Sequence, residues 1–102
     1  MKILFFLFIG WISIQNLDYN RLIIGKWKVE QDHSCFEFKK QSQVYIYEGN
    51  DTDFKITAWY KIVKDSLIIR LNQEESVYLI RYLDYKKMTL EYNGEMINAV
   101  RY

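Results

Sequence analysis

The sequence predicts an all-β protein: a small eight-stranded antiparallel up-and-down barrel preceded by one short N-terminal helical turn. Three observations predict it. From Gly25 onward, apolar residues alternate with polar ones at a period of two, which marks strands with one buried face. β-branched and aromatic residues dominate these runs. Short separators with turn chemistry divide the runs at close, regular intervals, so neighbouring strands pair as hairpins. A meander of this kind removes its two exposed edges best by closing on itself.

The N-terminus precedes that pattern and has a different character. Lys2 is followed by the uncharged run Ile3 to Ile14, the layout of a secretory signal of about 7–15 apolar residues. The run is shorter than the roughly 20 residues that a transmembrane helix needs. Ser13-Ile14-Gln15 supplies a small residue before the expected cleavage point. Residues 1–15 are therefore expected to be a signal peptide and residues 16–102 the folded domain. The protein is expected to be exported, periplasmic or secreted, and membrane-tethered if the segment is retained. No stable membrane span is expected, and no cysteine follows the run to carry a lipid anchor.

Residues 16–24 carry the helical signal. Asp18 can cap a short turn, Leu17, Leu22 and Ile23 form an apolar stripe, and Gly25 can end it. At about two turns such a helix must pack on something to persist. The strand runs then follow in order: Trp27 and Val29; Phe36 and Phe38; Val44 and Ile46; Phe54 to Ile62; Leu67 to Leu71; Ser76 to Leu83; Lys87 to Tyr92; and Glu95 to Tyr102. Between them lie Gln31-Asp32, Lys39 to Ser42, Glu48 to Asp51, Lys64 to Ser66, Asn72-Gln73, Asp84-Tyr85 and Asn93-Gly94. Asn93-Gly94 favours a tight two-residue hairpin.

Composition narrows the functional classes. Lys and Arg number 14 against 13 Asp and Glu, and loss of Lys2 would leave the domain balanced. Nucleic-acid binding needs clustered cations, and the doublets Lys39-Lys40 and Lys86-Lys87 adjoin turns and read as solvated ends. One cysteine, Cys35, cannot form an internal disulfide. His33 and Cys35 supply only two of the three or four ligands a zinc site requires, so no metal and no cofactor are expected. No phosphate loop, nucleophile elbow or zinc-protease motif occurs, and Glu74-Glu75 reads as a solvated turn. Enzymatic activity is not expected.

The segment Leu22-Ile23-Ile24-Gly25-Lys26-Trp27-Lys28-Val29 resembles the opening of lipocalin-like domains, a short turn leading into a Gly-x-Trp first strand. Tyr60-Lys61-Ile62-Val63-Lys64-Asp65-Ser66-Leu67-Ile68-Ile69 is similar to a hairpin of that family. Tyr78 to Leu83, followed by Met88-Thr89-Leu90, looks like the next one. The resemblance runs through most of residues 22–102 and points to the small bacterial lipocalin-like domains. It implies an eight-stranded barrel with the N-terminal turn covering one end. It also implies that Trp27 packs at that closed end beneath a basic residue from a late strand, Arg101 first and Arg81 second.

A barrel of eight strands is just wide enough to be filled by side chains or to hold one small ligand. Both outcomes stay open. In the first, the protein is an interaction module or inhibitor of the cell envelope with a packed core. In the second, it carries a small apolar or amphipathic molecule. Alternation through the long middle run places Phe54, Ile56 and Tyr60 inside and Trp59 outside. Phe54, Ile56, Tyr60 and Tyr78 are then the expected ligand-lining residues. The acidic hairpin 48–53 is a candidate lip or a solvated turn.

Overall fold

A computed structural model describes residues 19–49 and 54–102 of the protein. The expected signal peptide, the Asp18 cap and the hairpin tip at 50–53 lie outside the described residues. A short helical turn at 19–22 leads into eight strands: β1 (Gly25–Val29), β2 (Ser34–Phe38), β3 (Gln43–Glu48), β4 (Ile56–Val63), β5 (Ser66–Leu71), β6 (Glu74–Leu83), β7 (Lys87–Tyr92) and β8 (Glu95–Arg101). Each strand pairs antiparallel with the next, and β8 pairs with β1, so the sheet closes as an up-and-down barrel. A closed barrel of eight antiparallel strands with one short helical turn is consistent with a calycin-like barrel.

The chain has no proline and few glycines, so most of its turns place other residues at positive φ. Asn93 and Gly94 both take positive φ, 51° and 81°, the conformation that lets a two-residue turn follow the strand twist. His33, Ser42, Lys64 and Asn72 adopt the same region at other connections. Glu74 and Glu75, read from sequence as a turn, are the first two residues of β6 instead.

In an up-and-down barrel alternate connections share an end. The β1–β2, β3–β4, β5–β6 and β7–β8 turns form one rim. The helical turn, the other three connections and the end of β8 form the opposite one, which is closed. Ile23 and Trp27 are fully buried there, and the indole Nε1 donates to the Ile23 carbonyl at 2.8 Å. That bond satisfies the polar edge of a buried Trp and ties the helical turn to β1.

Inward positions follow the alternation: Val29, Phe38, Val44, Ala58, Tyr60, Leu67, Ile69, Ile80, Leu90 and Ala99 all join one buried cluster. The pattern breaks once. A bulge between Ile80 and Tyr82 inserts Arg81, whose guanidinium pairs with Glu91 at 2.5 Å. Because a bulge shifts the parity by one, Leu83 turns inward and Tyr82 outward. Arg81 is thereby engaged on the wall and does not cover Trp27.

The β1–β8 seam has three paired positions, Trp27↔Arg101, Lys28↔Val100 and Val29↔Ala99. Gln31 lengthens it toward the rim. Its amide nitrogen donates to the Met96 carbonyl at 3.0 Å, and its amide oxygen accepts from the Asn98 N–H at 3.3 Å. The side chain thus stands in for one more peptide of the missing strand.

Candidate functional site

The barrel holds a cavity of about 320 Å³. Its floor and walls are Phe36, Phe38, Leu67, Ile69, Leu90 and Ala99, and it reaches the exposed rim at Gln31, Asp32, Glu95 and Met96. It is entered between the β1–β2 turn and the start of β8. The opposite end is shut by Trp27 and the residues around it.

The aromatic residues explain why the interior is not filled. Phe38 and Tyr60 pack edge to face, 4.9 Å apart, low in the barrel. Phe36 stacks behind Phe38 at 6.1 Å. Of the nine tyrosines, Tyr45, Tyr47, Tyr82, Tyr85, Tyr92 and Tyr102 lie outside this buried cluster. Tyr82, Tyr85 and Tyr102 are exposed. Small Ala99 faces the space that larger residues would have occupied.

The expected lining residues separate into two groups. Tyr78 lines the cavity, its ring 4.8 Å from that of Tyr92. Burial, and secondarily Tyr92, raise its hydroxyl above the ordinary tyrosine range, so it stays protonated and able to donate. Phe54, Ile56 and Tyr60 do not line it. Phe54 precedes β4 and is 79% exposed, because the strand begins two residues later than the alternation suggests. Ile56 has inward parity but sits at the strand's first position, half exposed at the rim. Tyr60 points inward too low, and its hydroxyl donates to the Lys39 carbonyl at 2.8 Å, which anchors the β2–β3 turn. Trp59 is outward and 48% exposed.

Sequence reading missed Asp32, Glu95 and Gln31 as mouth residues. Asp32 Oδ1 accepts from the Ser34 N–H at 2.9 Å, and that bond holds its carboxyl below the usual range. Asp32, Tyr78 and Glu95 are the titratable groups of the lining. With Gln31 and Ser34 they are the polar groups of a lining that is otherwise apolar, the composition of a small-molecule site.

At the closed end, Arg101 lies over the Trp27 ring, 4.4 Å from its centroid. Its Nη1 donates to the Ile24 carbonyl at 2.7 Å, Nε to the Tyr85 carbonyl at 2.6 Å, and Nη2 to the Leu22 carbonyl. One guanidinium therefore joins the helical turn, the β6–β7 connection and β8. Gly25 makes room for it: a Cβ there would collide with Nη1.

Cys35 is buried on the outer side of β2, donating to the Gly49 carbonyl at 3.3 Å. His33 is exposed in the preceding turn. Among the described residues no three His, Cys, Asp or Glu side chains gather as a metal site, and no helix is long and apolar enough to cross a membrane.

Compared with known protein families, with characterised proteins and with solved structures, the chain matches none. The site therefore rests on its own geometry.

Proposed function

We propose that the chain is an exported, non-enzymatic, lipocalin-like protein that carries one small, mostly apolar molecule in its barrel. The observation that supports this reading is the cavity of about 320 Å³, closed at one end and entered at the other. Small-molecule sites begin near 300 Å³ and combine apolar walls with a few polar groups that orient the ligand. Tyr78 is the inner polar group, and Asp32 and Glu95 meet whatever part of the ligand remains at the mouth.

A second reading has its own observation. Trp59, Val63, Ile68, Val77 and Leu79 share the outer face of β4, β5 and β6, and all but Ile68 are exposed. Exposed Trp is a common anchor for a protein partner, and here it stands between Gln43 and Arg70, whose polar groups can meet the partner at the edge of the contact.

The deciding experiment titrates small aromatics, fatty acids and apolar amines against the protein while following thermal shift and Trp fluorescence. Saturable binding that Tyr78→Phe weakens about three- to tenfold, the worth of one hydrogen bond, and that Trp59→Ala leaves unchanged, supports the carrier. No binding by any compound of suitable size favours the interaction module.

A further inference from the structure

The protein's balanced charge conceals a separation that only the barrel's topology reveals. Summed over each end, the exposed charge is basic at one end of the barrel and acidic at the other. The connections at the closed end bring together exposed Arg21, Lys26, Lys40, Lys64, Lys86 and Lys87. Asp65 and Asp84 are the carboxylates among them. Lys39 is also there but paired to Glu37 at 2.7 Å, and Arg101 is engaged by three carbonyls. The open rim has the opposite character. Glu30, Asp32, Glu48, Glu74, Glu75 and Glu95 are exposed there, with His33, Lys55 and Arg70 as the basic residues, Arg70 lying directly across from Glu75.

The chain enters the barrel at the basic end. The uncharged run Ile3 to Ile14 stops five residues before Tyr19, and five residues span at most about 17 Å. Covalent geometry alone keeps Ile14, where the apolar run ends, within that reach of Tyr19 at the cationic end. An apolar segment beside a cluster of Lys and Arg is the combination that holds a protein on an anionic bilayer.

We propose that the closed end of the barrel is a docking face for anionic phospholipid headgroups, which it meets through Lys40, Lys64, Lys86, Lys87, Arg21 and Lys26. The acidic mouth then points away from the bilayer, because the negative surface repels it as it attracts the opposite end. The orientation does not depend on what the cavity binds. It also survives removal of residues 1–15, with weaker attachment, because the cations belong to the barrel.

The test uses the full chain on vesicles of phosphatidylcholine alone and of equimolar phosphatidylcholine and phosphatidylglycerol. Lysine acylation, read by mass spectrometry, reports which end is covered. On anionic vesicles Lys40, Lys64, Lys86 and Lys87 should be protected and should recover at high salt. Lys55 at the rim and Lys61 on the wall should label alike on both vesicles. Each cation at an anionic leaflet raises partitioning about fivefold, so the triple variant Lys40→Glu, Lys64→Glu, Lys86→Glu should lower salt-sensitive binding by at least about 100-fold. These side chains make no hydrogen bond or ion pair among the described residues, and circular dichroism checks that the variant keeps its fold. Equal labelling of the closed-end lysines on the two vesicle types overturns the proposal. So does protection by a soluble RNA homopolymer at lower concentration than by anionic vesicles.

Discussion

The guanidinium of Arg101 and the indole of Trp27 are stacked 4.4 Å apart at the end of the barrel where the chain both enters and leaves. They face each other across the β1–β8 seam as directly paired residues. The indole donates to one carbonyl of the entering segment, and the guanidinium donates to two others. Together they convert the loose backbone ends of 22–24 into a plug.

Arg101→Ala should cost about 2–4 kcal/mol in chemical denaturation, since it strands carbonyls that now accept from a charged donor. Arg101→Lys should recover little of this, because an ammonium lacks the planar fork that reaches three acceptors. Trp27→Ala should cost about 3–5 kcal/mol. The double variant should lose less than the two losses added together, as expected for residues in contact.

Gly25 has φ of +129°, and a Cβ there would run into Arg101. Gly25→Ala should therefore destabilise through both backbone strain, about 1–3 kcal/mol, and displacement of the guanidinium. In the Arg101→Ala background the steric part vanishes and the strain remains. Urea midpoints of the four proteins separate the two contributions.

Asp84 caps the β6–β7 connection. It accepts from the Tyr82 hydroxyl at 2.6 Å and from the N–H groups of Lys86 and Lys87 at 2.8 Å. The Tyr82 bond, followed by the two backbone bonds, lowers its carboxyl from 3.8 to about 2. A depressed folded value stabilises the protein above the unfolded value, and the effect fades as pH falls through the folded one. The melting-temperature gap between the parent and Asp84→Ala should hold from neutral pH to about 5 and close between about 4 and 2. A gap that widens in acid would contradict the assignment.

Ala99 is buried on β8 and faces the cavity. Ala99→Phe should abolish binding of any ligand the parent binds, while thermal unfolding shows the barrel intact. Overpacking costs typically about 1–3 kcal/mol, so a fall in melting temperature of that order is compatible with the expectation. Retained binding would place the ligand outside the barrel.

The strands were legible because alternation is a backbone property and survives without tertiary knowledge. Asn93-Gly94 was legible for the same reason: its φ values are required by a two-residue hairpin. Tyr82 was not, since one inserted residue at Arg81 reverses every later side chain and nothing in the local pattern announces it. Phe54 and Tyr60 belong to the inward set by parity, but parity says nothing of height along the barrel. One precedes the strand and the other points below the cavity. Asp32 and Glu95 lie 63 positions apart and become neighbours of one mouth only when β8 meets β1. The two basic doublets were visible as sequence; that they share an end follows only from counting alternate turns.

The β1–β8 seam also bears on how the molecule assembles. Seven of the eight strand contacts join consecutive strands and can form as hairpins. The eighth joins residues such as Trp27 and Arg101, more than seventy positions apart, and carries the largest loop-closure entropy. The barrel is thus expected to fold as an open sheet that shuts last, and until it shuts, β1 and β8 present unpaired edges to other chains. Gln31 and Arg101, at the two ends of that seam, then act as clasps against self-association. Weakening either should appear as clumping during refolding at high concentration, beyond what the loss of equilibrium stability alone would produce.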